Sequence, residues 1–407
     1  MYKFKLKNNV VVLFEETQVA QVFSLQVFYL IAPLSDSIDK AGLSNLTMQL
    51  MQKATINRNK EVLAKDIDDI GADLSSSLSY NYCALNINGL SLYFKKAALI
   101  LSDIIINPAF SKEELEFERE NLKAVLKSSQ DDIKAVAIEN FSANFYASTP
   151  YQYSAFGSLD TVDSISLDDI KKEHSFAYSA SNILISIAGN LKPDFVKEVL
   201  EEFFGDIKGG QSFIKPSFAL KPFEQNEKII NSKFNQAFIM RGFYAPSLND
   251  KDFAAASVLC AILGGAMTSR LFIELREKLG LAYEVSALYP ARTEMSHLAV
   301  YIGLDKKNID LTLKRIDAIL QEFCIKGTQE EELKNVKKYI KGTYALARLT
   351  AGSKADFYGI REMLWGDYKY DSIFLSEIEA VSCGAVLKVA NRIFKNKSFT
   401  IILKPNN

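Results

Sequence analysis

The strongest constraint on this chain is that it repeats itself. Residues 93–121, YFKKAALILSDIIINPAFSKEELEFEREN, and residues 304–340, LDKKNIDLTLKRIDAILQEFCIKGTQEEELKNVKKYI, run through one order of features. A strand-like end leads into a lysine pair, Lys95–Lys96 or Lys306–Lys307. An apolar helix follows, then a short turn, then Glu-Glu-Leu opening a second helix. Each half also closes on an apolar strand, NILISIAGN at 182–190 and SFTIILKP at 398–405. A lysine pair or a Glu-Glu-Leu could recur by chance; the whole order could not. A repeat of roughly 200 residues is far longer than a solenoid unit of ~20–50, and it means duplicated domains.

Period-two alternation marks strands at 8–16, 22–32, 77–90 and 182–189, and again at 236–245, 282–291, 297–304 and 398–404. Helical patterns lie between them, with long ones near 112–130, 192–204, 252–263, 307–324 and 329–348. The expected fold is α+β: two duplicated domains, each a mainly antiparallel sheet with helices packed on one face. GDIKGGQSFIKPSFALKPFEQNEK (205–228) has three glycines, two prolines and weak periodicity, so it reads as the linker. The expected division is a domain at 1–205, a linker at 206–228 and a domain at 229–407.

Composition excludes several classes. A net charge of −1 argues against nucleic acid or an anionic membrane surface as the main partner. No apolar run approaches the ~18 residues of a spanning helix. The start, MYKFKLKNNVVVLFEE, has no apolar core or small-residue cleavage site, so a cytoplasmic location is expected. Cys83, Cys260, Cys324 and Cys383 are scattered without a CxxC pair and read as reduced core residues. With only His174 and His297 present, a histidine-based metal site or a Ser-His-Asp triad is improbable; both are expected at surface or strand positions.

Within GLSNLTMQLMQKA (42–54), Leu43, Leu46 and Leu50 recur at three- and four-residue steps and form an apolar helix face. Asn45, Met48 and Gln49 share a second face of the same helix. AGLSNLTMQLMQKAT resembles the metal helix of the pitrilysin/insulinase metallopeptidases, including the processing-peptidase branch, whose active members read roughly Gly-Leu-Ala-His-Phe-Leu-Glu-His-Met, the inverted His-x-x-Glu-His motif. Gly42 and Leu43 match that pattern. Asn45 falls on the first zinc histidine, Met48 on the general-base glutamate and Gln49 on the second histidine. The family's further glutamate ligand falls on Lys127 by motif alignment, or on Leu126 with one residue of slippage. The resemblance continues through DIIINPAFSKEELEFERE, YSASNILISIAGN and GGAMTSRLFIELREKLGLAYEVSA and covers nearly the whole chain.

Zinc takes imidazole, thiolate or carboxylate; neutral amides are poor substitutes, and a thioether cannot accept a proton from water. The helix is therefore read as a degenerate metal site, with no cofactor in this chain. The resemblance carries one feature forward. Arg276 and Tyr283, either side of Gly280, match the Arg/Tyr pair that active members use on substrate, where planar guanidinium donors and a phenol hold a peptide carbonyl and its developing oxyanion. Arg270 reads as structural, bonded to backbone or carboxylate. Ser75, Ser76 and Ser77, in GADLSSSLSYNY, match the family strand that pairs with extended substrate. GGAMTS (264–269) lacks the GxxxxGK[ST] pattern and follows a helix, which argues against nucleotide binding. The resemblance implies a non-catalytic subunit of a heterodimeric zinc peptidase. A homologous subunit carrying His-x-x-Glu-His and zinc would be its partner and peptides its substrate; the alternative is an inactive scaffold or peptide-binding protein of the same fold.

Overall fold

The computed structural model describes residues 1–406 apart from 19, 31, 215, 217, 219–222 and 224. The first half runs β1 (Tyr2–Lys5), β2 (Val11–Glu16), β3 (Val22–Tyr29), α1 (Leu43–Met51), α2 (Lys60–Asp68), β4 (Asp73–Leu78), β5 (Cys83–Leu90), α3 (Phe94–Ile106), α4 (Lys112–Ser129), α5 (Ile133–Phe145), α6 (Leu159–Ser164), α7 (Leu167–Ala177), β6 (Ile183–Gly189) and α8 (Pro193–Phe204). The second runs β7 (Glu227–Ser232), β8 (Ala237–Ala245), α9 (Phe253–Gly264), β9 (Ala282–Leu288), β10 (Ser296–Leu304), α10 (Ile309–Lys326), α11 (Glu330–Leu346), α12 (Ala351–Trp365), α13 (Tyr370–Ala380), α14 (Cys383–Phe394) and β11 (Ser398–Pro405).

The duplication is visible in the strand order. The first sheet is ordered β1-β2-β6-β3-β5-β4 and the second β7-β11-β8-β10-β9, so five strands correspond one to one and β1 is an addition. The pairing senses correspond too. β2 and β6 run parallel, as do β7 and β11, and the remaining pairs are antiparallel. The α+β class and the mainly antiparallel sheets are as the sequence implies.

Alternation along the strands splits the first sheet into two faces. Phe23, Leu25, Val27 and Tyr29 point to one side and join Ile185, Ile187, Leu85 and Ile87 in a core with α3 and α8. On the opposite side Leu13, Phe28, Ala84 and Leu184 form a smaller core with Met363 of α12. The second sheet follows suit. Phe243 meets Phe394 of α14 at 5.1 Å on one face, and Phe141 of α5 meets Phe399 at 5.9 Å on the other. Each sheet thus has its several helices on one face, as expected, and one further helix on the other.

That further helix comes from the other half of the chain. One compact unit comprises residues 1–127, 153–216 and 346–371, and the other comprises 128–152, 217–345 and 372–407. The units therefore differ from the contiguous halves 1–205 and 229–407 read from the sequence, because α5 and α12 each cross over. Of the expected linker, 206–228, residues 215, 217, 219–222 and 224 lie outside the described residues. Its first part is tied down: Phe213 N–H donates to Asn182 Oδ1 at 2.8 Å, and Ala180 N–H to the Lys208 carbonyl at 2.9 Å. Among the described residues, no helix is long and apolar enough to cross a membrane.

Candidate functional site

Helix α1 begins where Gly42, at φ 99°, turns the chain into it. An added Cβ there would lie 2.8 Å from the Phe156 carbonyl oxygen, so position and conformation both require glycine. Asp36 holds amides that have no partner within the helix, accepting from Gly42 N–H at 3.0 Å and Ser44 N–H at 3.3 Å. Ser44 Oγ lies 2.6 Å from Asp36 Oδ1 and 3.2 Å from Glu173 Oε1 of α7. A hydroxyl carries one proton, so both contacts are hydrogen bonds only while one acid is protonated. Burial pushes Asp36 up to about 6 against the bonds it accepts. Burial and the Asp36 charge push Glu173 up to about 7. This trio escaped the sequence reading; the one local signal for it was an acid shortly before a helix start.

The positions aligned with the metal motif are turned to packing. Asn45 is 2% exposed, and its side-chain oxygen has no hydrogen-bond partner among the described residues. Met48 is 1% exposed and sits in the main core with Met51. Gln49 Nε2 donates to Ser76 Oγ at 3.4 Å. On α4, Leu126 packs with the cluster of Leu46, Leu50, Leu115 and Leu122, whereas Lys127 is exposed. The buried carboxylate of Glu118, also on α4, is paired with Lys53 at 2.9 Å. Among the described residues no three His, Cys, Asp or Glu side chains are grouped to hold a metal ion. One neutral amide oxygen, a thioether and an engaged glutamine do not fit zinc.

Ser75, Ser76 and Ser77 lie on β4, the last strand of the first sheet, paired with β5 alone. One backbone edge is thus open for strand addition. Ser76 faces α1, while Ser75 and Ser77 stand opposite Asn86 and Ala84 on the other face. Tyr283 occupies the corresponding edge strand of the second sheet, β9. It is 60% exposed and lines a cleft of about 600 Å³ with Asn235, Gln236, Asp305 and Lys306. Arg276 lies on a π-helical turn, Phe272–Lys278, in which Leu279 N–H reaches back five residues to the Glu274 carbonyl at 3.2 Å. Such turns concentrate at functional sites. The Arg276 guanidinium is exposed, 5.1 Å from the Phe272 ring. No hydrogen bond joins it to Tyr283 among the described residues.

Arg270 is structural. Its fork grips Glu332 at 2.9 and 2.6 Å, donates to the Gly327 carbonyl at 2.8 Å and stacks on Phe323 at 4.3 Å. Neither histidine lies at the surface. His174, expected at a surface or strand position, is half-buried on helix α7, with Nε2 2.9 Å from the Ile105 carbonyl and its ring on Tyr178. His297 is buried in strand β10, with Nδ1 2.5 Å from the Tyr146 hydroxyl. All four cysteines are free; Cys83 is buried and the others are half-buried.

The family model described as Insulinase (Peptidase family M16) matches residues 11–158, and that of the Peptidase M16 inactive domain matches 164–340. An uncharacterized zinc protease of Rickettsia felis is 24% identical over 404 residues, covering 99% of this chain and 97% of the relative. A protein of Helicobacter pylori named a non-peptidase homolog is 25% identical over 327 residues, covering 79% of this chain and 74% of that protein. The crystal structure of a peptidase M16 inactive domain from Pseudomonas fluorescens superposes with a TM-score of 0.92 at 19% identity, covering 100% of this chain and 98% of that one. Motif order, duplicated sheets and both family models agree: the chain belongs to peptidase family M16, on its non-catalytic branch.

Proposed function

We propose that this chain is the non-catalytic subunit of a heterodimeric zinc peptidase, forming part of the wall of a peptide chamber and lending Arg276 and Tyr283 to substrate. One contrast carries the reading. Asn45, Met48 and Gln49, aligned with the metal motif, are buried or engaged, while the side chains of Arg276 and Tyr283 stay exposed, with no ion pair or hydrogen bond among the described residues. A guanidinium and a phenol left in solvent offer donors to a peptide carbonyl, and donors that strengthen as charge develops on that oxygen accelerate the reaction. The metal and general base belong to a homologous partner carrying His-x-x-Glu-His. The open edge of β4, with Ser75, Ser76 and Ser77, receives the peptide as an added strand.

The test is reconstitution with a co-purifying homologue and measurement of peptide hydrolysis. Tyr283→Phe removes one hydroxyl and keeps the ring, and loss of an oxyanion donor costs about 100- to 1,000-fold in rate. Full turnover in both Tyr283→Phe and Arg276→Ala, with the pair intact on size exclusion, would leave the chain as a scaffold. The Helicobacter pylori relative's name, a non-peptidase homolog, favours that second reading: a peptide-binding or scaffold protein without peptidase activity.

A further inference from the structure

Beside the Arg270–Glu332 bridge lies a cavity of about 340 Å³ between the end of α9, the loop 264–269 and the start of α11. Its floor is apolar: Ala261, Ile262, Ala266 and Val336. Ser269 forms part of the wall. It is 4% exposed, and its hydroxyl has no hydrogen-bond partner among the described residues, an uncommon state for a buried polar group. Tyr339 closes one end, its hydroxyl donating to the Gly265 carbonyl at 2.7 Å.

Charge at the rim selects the ligand. Glu332 is committed, held by Arg270 and accepting from Thr328 Oγ1 at 2.6 Å. Glu331 is exposed and forms no ion pair among the described residues. Gln329 and Asn335 add neutral amides. The start of a helix attracts anions in general, but the first turn here already carries Glu330, Glu331 and Glu332, which complement the helix dipole and repel a further anion. An apolar floor, an unanswered hydroxyl and one uncommitted carboxylate fit an aliphatic stem ending in a cation.

We propose that this cavity is a binding site for an alkylammonium group, supplied by a lysine side chain or by the N-terminus of a peptide. Ser269, Gln329 and Asn335 line the place where the ligand is held, and Glu331 carries its counter-charge. The site rests on the peptide-handling reading only for the source of the ammonium; its binding is measured on the isolated chain, without partner, zinc or turnover. A negative result therefore leaves the roles of Arg276 and Tyr283 untouched.

The experiment is titration of the full chain, by calorimetry and by shifts of the Ser269 and Gln329 amide resonances. The probes are Nα-acetyl-lysine methylamide, leucyl-glycinamide with a free N-terminus, Nα-acetyl-norleucine methylamide and Nα-acetyl-glutamate methylamide. At least one ammonium probe is expected to bind about 10-fold tighter than norleucine, the yield of one charge-assisted hydrogen bond. Whichever ammonium probe binds tighter identifies the source. Glu331→Gln should erase that preference without moving the melting temperature, and Ser269→Ala should weaken binding a few-fold. Equal binding of norleucine, tighter binding of glutamate, or an unchanged preference in Glu331→Gln would overturn the proposal.

Discussion

Each sheet seats one helix from the other half of the chain, and the two seats differ in composition. Under α12 the first sheet adds polar contacts to the core of Leu13, Phe28, Ala84, Leu184 and Met363. Gln26 Nε2 donates to the Gly352 carbonyl at 2.9 Å, Ser186 Oγ to the Ala355 carbonyl at 2.6 Å, and Lys354 pairs with Glu15 at 2.8 Å. Under α5 the second sheet offers rings. Phe141 and Phe145 stack at 4.8 Å, and around them stand Tyr244, Phe223, Phe399 and His297. Both seats depend on one glycine against one phenylalanine, with the roles exchanged. On α12 the helix supplies Gly359, and a Cβ there would lie 2.1 Å from the Phe28 ring. On β8 the strand supplies Gly242, and a Cβ there would lie 2.3 Å from the Phe141 ring of α5. Duplication preserved the approach distance and not the chemistry that fills it. Close packing constrains the space a pair occupies more than which member is large.

The comparison breaks first at the rings. Phe28→Ala and Phe141→Ala should each cost about 3–5 kcal/mol in denaturant unfolding, the usual loss for a buried aromatic. Phe141→Ala should cost the more, because it opens a cluster of rings. An equal or smaller loss there would mean that the polar seat is the tighter one.

Next come the glycines. Gly242→Ala and Gly359→Ala should cost about 1–3 kcal/mol by overpacking, with Gly359→Ala the milder since alanine favours the helix by about 1 kcal/mol. Each penalty should vanish in the matching Phe→Ala background. A double-mutant cycle with no coupling would separate glycine from ring.

The buried Glu173–Asp36 pair and the buried His297 respond to pH in opposite senses. Glu173 and Asp36 are raised from ordinary values of 4.5 and 3.8 to about 7 and 6. An acid raised in the folded state contributes fully below its unfolded value and loses that contribution as pH climbs through the folded one. Their unit should therefore weaken between about pH 4 and 7. Glu173→Gln should gain about 3 kcal/mol at pH 8 and nothing at pH 4, read from melting curves. His297 is lowered by burial and by the Arg292 charge, so the unfolded chain takes its proton first below about pH 6.5 and the other unit weakens in acid. A Glu173→Gln gain that is the same at both pH values would remove the acid pair as its cause.

The smallest effect is expected at Tyr283. With 60% of it exposed, Tyr283→Phe should leave stability within about 0.5 kcal/mol of the parent. A larger loss would show that the edge strand β9 needs the hydroxyl for its own fold.

The duplicated sheets were legible in the sequence because strand alternation and the Lys-Lys to Glu-Glu-Leu order are local patterns, each readable within a few tens of residues. The crossing of α5 and α12 was not. The buried positions of α12 include Ala355, Gly359 and Met363, small or flexible residues at four-residue steps, and nothing in that stripe names the sheet it covers. The metal helix was readable because Asn45, Met48 and Gln49 fall inside one short motif. Lys127 was less so. Its register depends on a helix far along the chain, and the structure packs Leu126 inward and leaves Lys127 in solvent. The Ser269 cavity gave no sequence signal, since its walls meet only when α11 returns to the loop after α9.

The crossover also bears on how the chain is made. When residue 205 leaves the ribosome, Phe28 and Gln26 have no cover, because α12 ends at Trp365. At 5–20 residues per second the uncovered face waits roughly 10–30 s for its helix. During synthesis the first sheet is therefore a client in search of a cover, and a chaperone that recognises apolar strands has a defined interval in which to act.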